Sequence, residues 1–335
     1  MLGISSILPA APVLAADDPQ PQSLQLSVSP VSLTATVSPG SVSTYDLRVR
    51  NDGQQDEVLK LSLMRFGAFG EEGKPKLTDF FSGDIWKDWM TFSQPEFTAR
   101  PGEWNTIRAT ITVPESAALD YNYAITFQRA AQETSSGGQK NDLRGAVATL
   151  LILEVAHPSA KRELQLIDFS TGSPLLEFLP ASFSIRVRNT GNVHAAPYGN
   201  IFIRRGDTEV GIIDVNKDRG NILPDSNRVF TSSWNDATPR YEKMVKSGAT
   251  VLTNEGVAEQ VLRWEGFQPD KLRFGRYTAT LSLVYDDGTR DVPLEKTISF
   301  WVIPWRVIGY ALAVPILPAL LVFIVMRRRR RATHV

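Results

Sequence analysis

The residues best spaced for chemistry form an oxygen-rich loop in the second half of the chain. Its candidate ligands are Asp214, Asn216, Asp218 and Asp225. Oxygen atoms at alternate positions can converge on calcium, and the residue that would close such a loop is also acidic here. However, Gly220 falls one place later than the glycine of an EF-hand loop, and no helices are predicted on either side. A polar hairpin loop explains the pattern equally well, so we assign no metal site and keep these four residues as a calcium candidate.

Nucleophilic catalysis has few candidate residues in this chain. There is no cysteine, and there are 3 histidines. His157 lies in a linker, His334 lies in a basic tail, and His194 follows a turn, where a histidine is typically a surface residue. A nucleophile needs a base beside it, and no Gly-x-Ser-x-Gly elbow is present. We therefore predict no catalytic residue, no cofactor, no enzymatic activity, and no zinc or copper site built from His and Cys.

Carboxylate-dependent hydrolysis is an alternative function. Its candidate residues are those of the loop from Asp214 to Asp225, together with Glu255 and Glu259. Two carboxylates that cleave a glycosidic bond must share a cleft, about 5 Å or about 7–9 Å apart. A sequence does not give that separation, so an envelope hydrolase stays an alternative.

The most aromatic stretch before the C-terminal region runs from Phe80 to Phe92. Aromatic side chains are enriched at protein interfaces, and the same side chains also pack well in a core. We assign Trp89 and Phe92 to the core. Trp86 is left as a candidate residue for binding a partner.

The elements that would position these residues are β-strands. Tyr45, Leu47 and Val49 alternate with charged residues, and similar alternation recurs along the chain between Pro- and Gly-rich turns. Short alternating strands at this spacing indicate antiparallel sandwiches. The fold class we predict is all-β, with two tandem immunoglobulin-like sandwiches over 23–156 and 163–303, joined by a linker over 157–162.

A short internal repeat supports two units of one kind. The stretch from Tyr45 to Gly53 is echoed by the stretch from Phe183 to Gly191, with Arg-Val-Arg-Asn-x-Gly in both. Tyr277 in the second unit, and Tyr121 or Tyr123 in the first, are candidates for a tyrosine corner, whose hydroxyl bonds to upstream backbone.

An insertion over 236–270 fits no strand register. Tyr241 to Val245 and Val257 to Trp264 have helical spacing, which predicts one or two short helices. Loops of this length in compact domains are usually functional or disordered.

A membrane anchor is predicted over 304–326. No charge falls between Val307 and Met326, and twenty helical residues span about 30 Å, the thickness of a bilayer core. The proposed anchor residues, which comprise an outer aromatic belt and a basic cytoplasmic tail at 327–335, are Trp305, Tyr310, Arg327, Arg328, Arg329, Arg330 and Arg331. This pattern predicts a single-pass plasma-membrane protein with its N-terminal bulk outside.

The two ends and the composition indicate an exported bacterial protein. Residues 1–22 read as a secretory signal that lacks a basic start. The absence of cysteine favours a bacterial or archaeal envelope, since exported eukaryotic modules of this size usually carry disulfides. The formal charge of +0 becomes −5 once the five tail arginines are set aside, which argues against a nucleic-acid partner.

This layout resembles the WxL-interacting proteins of Gram-positive bacteria and, more loosely, other bacterial surface proteins built from sandwich domains. The motifs that carry the resemblance are Ser29-Pro30, Ser38-Pro39-Gly40, the turn at Asn51, Trp89, Pro101-Gly102, Val113-Pro114, the turn from Asn189 to Asn192, Gly199 and Phe274 to Tyr277. The resemblance implies a first domain that contacts peptidoglycan or a partner surface protein, and a second that contacts host or neighbouring proteins. We predict a non-enzymatic, membrane-anchored surface protein whose partners are the lipid bilayer and a cell-wall polymer or another surface protein. An envelope assembly chaperone that offers a strand edge to a secreted client is a further alternative.

Overall fold

The computed structural model describes residues 24–130, 146–246, 248–253, 255–266, 268–310, 314 and 322–324. The predicted signal segment lies outside these residues. The described residues are mostly β-strand, with two short 3₁₀ helices at Ile85–Trp89 and Pro269–Lys271. The prediction of an all-β chain is therefore confirmed.

The strands of the first half of the chain form a two-sheet sandwich. One sheet contains, in spatial order, Leu26–Ser29 (β1), Val42–Asn51 (β3), Trp104–Thr112 (β8) and Met90–Phe92 (β6). The other contains Ser32–Val37 (β2), Val147–Val155 (β10), Leu119–Arg129 (β9), Glu57–Phe69 (β4) and Lys74–Thr78 (β5), and Glu96–Ala99 (β7) also pairs with β4. The alternation read from the sequence places Leu47, Val49 and Ile107 at the interface of the sheets, where each is at most 1% exposed.

The second half of the chain forms another sandwich. Its smaller sheet contains Leu164–Thr171 (β11), Ala181–Asn189 (β13) and Asn227–Trp234 (β16). Its larger sheet contains, in spatial order, Leu175–Leu176 (β12), Asp291–Val302 (β22), Gly275–Asp286 (β21), Tyr198–Arg205 (β14) and Thr208–Val215 (β15). The core between these sheets is aromatic: Phe183, Tyr277 and Phe300 are buried, and the rings of Phe183 and Tyr277 both contact the ring of Phe300.

The internal repeat corresponds to one buried asparagine in each sandwich. Asn51 and Asn189 both lie at the end of the equivalent strand, and both are 0% exposed. Asn189 donates from its amide nitrogen to the carbonyls of Val193 at 2.9 Å and Ile222 at 2.8 Å, and its side-chain oxygen accepts from the Gly191 N–H at 2.9 Å. Asn51 makes the same three kinds of bond, to Gln55, Ala99 and Gly53. The repeated sequence therefore encodes a repeated turn.

The tyrosine corner is confirmed in the second sandwich. The Tyr277 hydroxyl accepts a hydrogen bond from the Phe274 N–H at 3.1 Å. In the first sandwich Tyr121 makes the equivalent contact with the Ala118 N–H at 3.4 Å.

The predicted helices of the insertion are wrong. Arg240–Lys243 (β17) pairs with Gln260–Arg263 (β20), and Val245–Lys246 (β18) pairs with Ala249–Thr250 (β19). The segment folds back on itself, so its backbone N–H and C=O groups form hydrogen bonds between neighbouring strands instead of within a helix. Spacing alone cannot distinguish these outcomes in such short runs.

The predicted membrane-spanning helix and the single-pass plasma-membrane localisation are contradicted. Within the residues that the structure describes, none of the helices combines the length and the apolar character required to cross a bilayer. Of the proposed anchor residues, Trp305 and Tyr310 lie within the described part of the chain, where they are 46% and 71% exposed. The arginines at 327–331 lie outside the described residues.

We expect the two buried asparagines to be major contributors to stability. Replacing Asn189 with alanine removes three hydrogen bonds from a water-excluded turn, each worth roughly 1 kcal/mol, so the free energy of unfolding should fall by roughly 3 kcal/mol. The change Asn51→Ala should cost a similar amount. Urea denaturation of each variant measures the loss. Gln54→Ala, in the same turn as Asn51 but exposed, is the matched control, and an equal loss in that variant would contradict the assignment.

Candidate functional site

The last strand of the second sandwich has an edge that is open along most of its length. β22 pairs with β21 from Asp291 to Val302, but on its other side β12 covers only Trp301 and Val302. In the first sandwich the equivalent last strand, β10, is covered by β2 over six residues, 150–155. In the described part of the chain, no strand pairs with residues 291–300 of β22 on this side, although β11 of the other sheet lies close to it. We call residues 291–300 the open edge.

The direction of the backbone groups along the open edge follows from the bonds at its end. The N–H of Trp301 donates to the Pro174 carbonyl, and the N–H of Ile303 donates to the Leu176 carbonyl, both at 2.8 Å. Because alternate residues of a strand direct their N–H and C=O groups to the same side, the odd-numbered residues of β22 face away from β21. Pro293, which has no N–H to donate, fits this parity. The outward N–H groups are therefore those of Asp291, Glu295, Thr297 and Ser299.

A row of apolar side chains lies on the inner face beside the open edge. Val292, Leu294 and Ile298 of β22 are partly buried against the core, as is Leu166 of β11 across the gap between the sheets. Lys296 interrupts this row. An extended segment placed alongside β22 would direct every second side chain toward these residues.

The charge of Lys296 is paired within the site. Its Nζ lies 3.6 Å from Asp168 Oδ1 of β11, where a bulge between Leu166 and Asp168 changes the strand register. The hydrogen bond from the Ser170 hydroxyl is the main factor that lowers the pKa of Asp168, burial opposes it, and Lys296 lowers it further. Asp168 and Lys296 are 50% and 42% exposed, so both remain accessible to a ligand.

Such an edge can bind an extended polypeptide. Main-chain hydrogen bonds would supply affinity, and the apolar row and Lys296 would select side chains. Pro293 and Lys296 also limit indiscriminate pairing, since proline and inward-pointing charge are common means of protecting an edge strand. The site is thus open to a specific strand and protected against general aggregation.

The calcium candidates do not form a ligand cluster. Asp214 lies on β15, where it accepts a hydrogen bond from Asn200 at 2.9 Å. The side-chain oxygen of Asn216 accepts a hydrogen bond from the Gly220 N–H at 2.8 Å, and this bond closes the turn. Among the described residues, the carboxylate oxygens of Asp214, Asp218 and Asp225 do not all come within 4.8 Å of one another. The pattern of oxygen-bearing residues is accounted for by the turn chemistry of asparagine and aspartate.

Trp86 packs against the first core and lies within an aromatic cluster. Its ring centroid is 4.6 Å from that of Phe80 and 4.7 Å from that of Tyr123, both edge-on. The buried Tyr123 hydroxyl donates to the Trp86 carbonyl at 2.7 Å, and burial raises the pKa of that hydroxyl. Trp89 packs on the same core through Tyr121, as its assignment to the core predicts.

The other sequence-derived candidates are dispersed. Glu255 and Glu259 are exposed on the insertion, and the acidic groups that the structure does bring together belong to other residues. The prediction of a surface position for His194 is wrong, because this residue is 8% exposed and contacts Asp120. No local signal marks that contact, since the partner lies 74 positions earlier. The sequence does not reveal the open edge, because the edge exists only where the short strand β12 leaves β22 uncovered.

Comparisons with known proteins identify no family for this chain. No family model matches it, and no curated protein matches it. Similar solved structures include the class 5 fimbriae chaperone CfaA, at 12% identity over 82% of this chain and 98% of that chain, with a TM-score of 0.35. The E. coli chaperone DraB matches at 13% identity over 82% and 98%, with a TM-score of 0.32. The Pseudomonas aeruginosa CupB2 chaperone matches at 9% identity over 82% and 100%, with a TM-score of 0.32.

Asp168 should make stability depend on pH in a defined direction. Its pKa is lowered in the folded state, so its contribution is present above the unfolded value of about 4 and is lost as the pH falls through the lower folded value. Asp168→Asn should therefore reduce the free energy of unfolding at about pH 6 and change it little at about pH 2. The loss should stay below about 1 kcal/mol because the group is half exposed.

Chemical denaturation at the two pH values measures this difference. Ser170→Ala removes the hydroxyl that chiefly lowers the pKa of Asp168, so it should reproduce most of the effect. A loss in Asp168→Asn that is equal at both pH values would contradict the assignment.

Proposed function

We propose that this chain is a non-enzymatic binding protein that holds an extended segment of a partner protein along β22, as an assembly chaperone of envelope proteins would. The observation that carries the proposal is the open edge beside a row of partly buried apolar side chains. Two sandwiches of one kind lie in the same chain, and only the second lacks cover on its last strand. The edge is therefore a local property of this strand.

The side chains of the site define the partner segment. A strand beside β22 would place alternate residues against Leu166, Leu294 and Ile298, so those residues should be apolar. The position opposite Lys296 should be acidic, because it can share the lysine with Asp168. We infer a partner strand of the pattern apolar-x-acidic-x-apolar, in a protein that exposes this strand before it has folded or assembled.

The envelope setting rests on sequence features. The absence of cysteine and the signal-like N-terminus indicate an exported chain. The resemblance to WxL-interacting proteins stays a prediction and is compatible with a surface protein as the partner. The edge geometry favours a polypeptide ligand over a cell-wall polymer, since the outward groups are strand N–H and C=O groups.

A single proline tests the edge. Thr297→Pro removes one outward N–H, and the strand already carries proline at the equivalent position, 293, so the fold should be retained. Binding of a synthetic peptide of alternating valine and threonine with one central aspartate should weaken at least tenfold, as measured by fluorescence anisotropy. The matched control is Thr297→Ala, which loses the same hydroxyl contact with Thr280 but keeps the N–H. If proline and alanine variants bind the peptide equally, the edge is not the binding site.

Charge reversal at Lys296 tests the pattern. Lys296→Glu should weaken binding of the peptide with central aspartate and strengthen binding of the same peptide with central lysine, because the charge that faces the peptide changes from positive to negative. Surface plasmon resonance with both peptides measures the exchange. Lys217→Glu, in the loop after β15 and outside the edge, should leave the preference for aspartate unchanged. A preference that stays the same in Lys296→Glu would show that Lys296 does not contact the ligand.

A further inference from the structure

A buried polar cluster joins the two sandwiches. Asp120 near the start of β9 and Glu154 near the end of β10 are directly opposite each other in the ladder of the first sandwich. His194 comes from the second sandwich, and Arg162 comes from the segment that connects the two. We call these four residues the junction cluster.

The junction cluster concentrates negative charge where water has little access. The side chains of Asp120, Glu154 and His194 are 5%, 4% and 10% exposed. Like charges directly opposite each other on neighbouring strands are destabilising, and burial increases the cost. Arg162 offsets one of them, because its Nη2 lies 2.5 Å and 2.6 Å from the two oxygens of Glu154. The second carboxylate has no lysine or arginine partner of this kind among the described residues.

Asp120 has an oxygen that the surrounding protein leaves unbonded. Its Oδ2 accepts the His194 backbone N–H at 2.5 Å and lies 3.0 Å from His194 Nδ1. Its Oδ1 is buried and has no hydrogen-bond partner within the described ranges. Protonating the imidazole does not change this, since Nδ1 donates toward Oδ2. A buried unsatisfied oxygen of this kind requires an explanation, and an ion that contacts both oxygens of the Asp120 carboxylate is one.

We propose that Asp120, Glu154 and His194 bind one Zn²⁺ ion at the junction between the sandwiches. Their donor atoms all lie within 4.8 Å of one another, with His194 Nδ1 3.0 Å from Asp120 Oδ2 and 3.7 Å from Glu154 Oε2. Zinc bonds to nitrogen and carboxylate oxygen are about 2.0–2.2 Å, which in a tetrahedral site places neighbouring donors about 3.3–3.6 Å apart, so the observed distances need to change by only about 0.3 Å. A mixed set of one imidazole and two carboxylates suits zinc better than Ca²⁺ or Mg²⁺, which prefer oxygen alone.

The surroundings meet the other requirements of a metal site. Arg162 holds Glu154 from outside, in the manner of the groups that orient ligating carboxylates. His194 is placed by the turn that Asn189 closes, through the bond from Asn189 to the Val193 carbonyl. A cleft of about 580 Å³, lined by Asn192 and Leu223 among others, reaches Asp120, one of the three proposed ligands. The His194 tautomer with its proton on Nε2 presents the Nδ1 lone pair to the ion.

Zinc at this position would link the two sandwiches directly. Two ligands come from the first sandwich and one from the second, so the ion fixes their relative orientation. Because an ion that binds only the folded chain stabilises it by mass action, zinc should raise the unfolding temperature of the full chain.

Zinc binding to the chelator-treated full chain provides the test. Isothermal titration with ZnCl₂ should show one ion per chain, and the unfolding midpoint should rise with zinc and return with a chelator. Co²⁺ in place of zinc should give visible absorption typical of a low-coordinate nitrogen and oxygen site. Asp120→Asn, which keeps an acceptor for the His194 N–H, should weaken zinc binding at least tenfold.

The matched control is His157→Ala, which removes an exposed histidine outside the junction cluster and should leave zinc binding unchanged. Circular dichroism of each variant establishes that it is folded. No zinc uptake by the folded parent chain would overturn the proposal. Equal affinity in the parent and in Asp120→Asn, or loss of the ion in His157→Ala, would place any bound zinc elsewhere and would overturn it as well.

Discussion

The hydrogen bonds of Asn189 are the constraint on which the arrangement of the second half of the chain depends. They close the turn that follows β13, and this turn binds the segment that connects the two sandwiches. Asn192 forms hydrogen bonds with Lys161 and Ser159, and the Thr190 N–H donates to the Glu163 carbonyl. Gly191 allows this approach, since a Cβ there would lie 2.1 Å from the Lys161 carbonyl oxygen. The same turn delivers Arg162 and His194 to the junction.

Contacts beyond the junction cluster reinforce the same arrangement. Glu71, at the tip of the hairpin of β4 and β5, accepts hydrogen bonds from Arg186 and Asn227 of the second sandwich. Leu223 packs against Phe66 and Ile152 of the first. Apolar contact, ion pairs and a repeated turn thus act on one interface. The open edge of β22 is therefore carried on a firmly held unit.

The sequence predicts the fold class well because strand alternation is a local property. Leu47, Val49 and Ile107 are buried as their period of two requires. The insertion was misassigned, since runs as short as Arg240–Lys243 fit helix and strand alike. The C-terminal apolar run has the composition of a membrane span, but the described residues contain no helix long and apolar enough to cross a bilayer. The two sites depend on distant pairings, between Asp120 and His194 and between β12 and β22, and no local pattern encodes such pairings.

The parallel ladder between β2 and β10 also has a consequence for biosynthesis. Ser32 pairs with Leu150, and Val37 pairs with Val155. Strand β2, which is synthesised early, therefore cannot pair until β10, the last strand of that sandwich, has been synthesised. Contacts between such distant segments form slowly. While the chain emerges, β2 has no strand to pair with, and the first sandwich cannot close until the segment leading to the second has also emerged. The protein that we propose binds exposed strands of a partner therefore passes through a stage in which one of its own strands is unpaired.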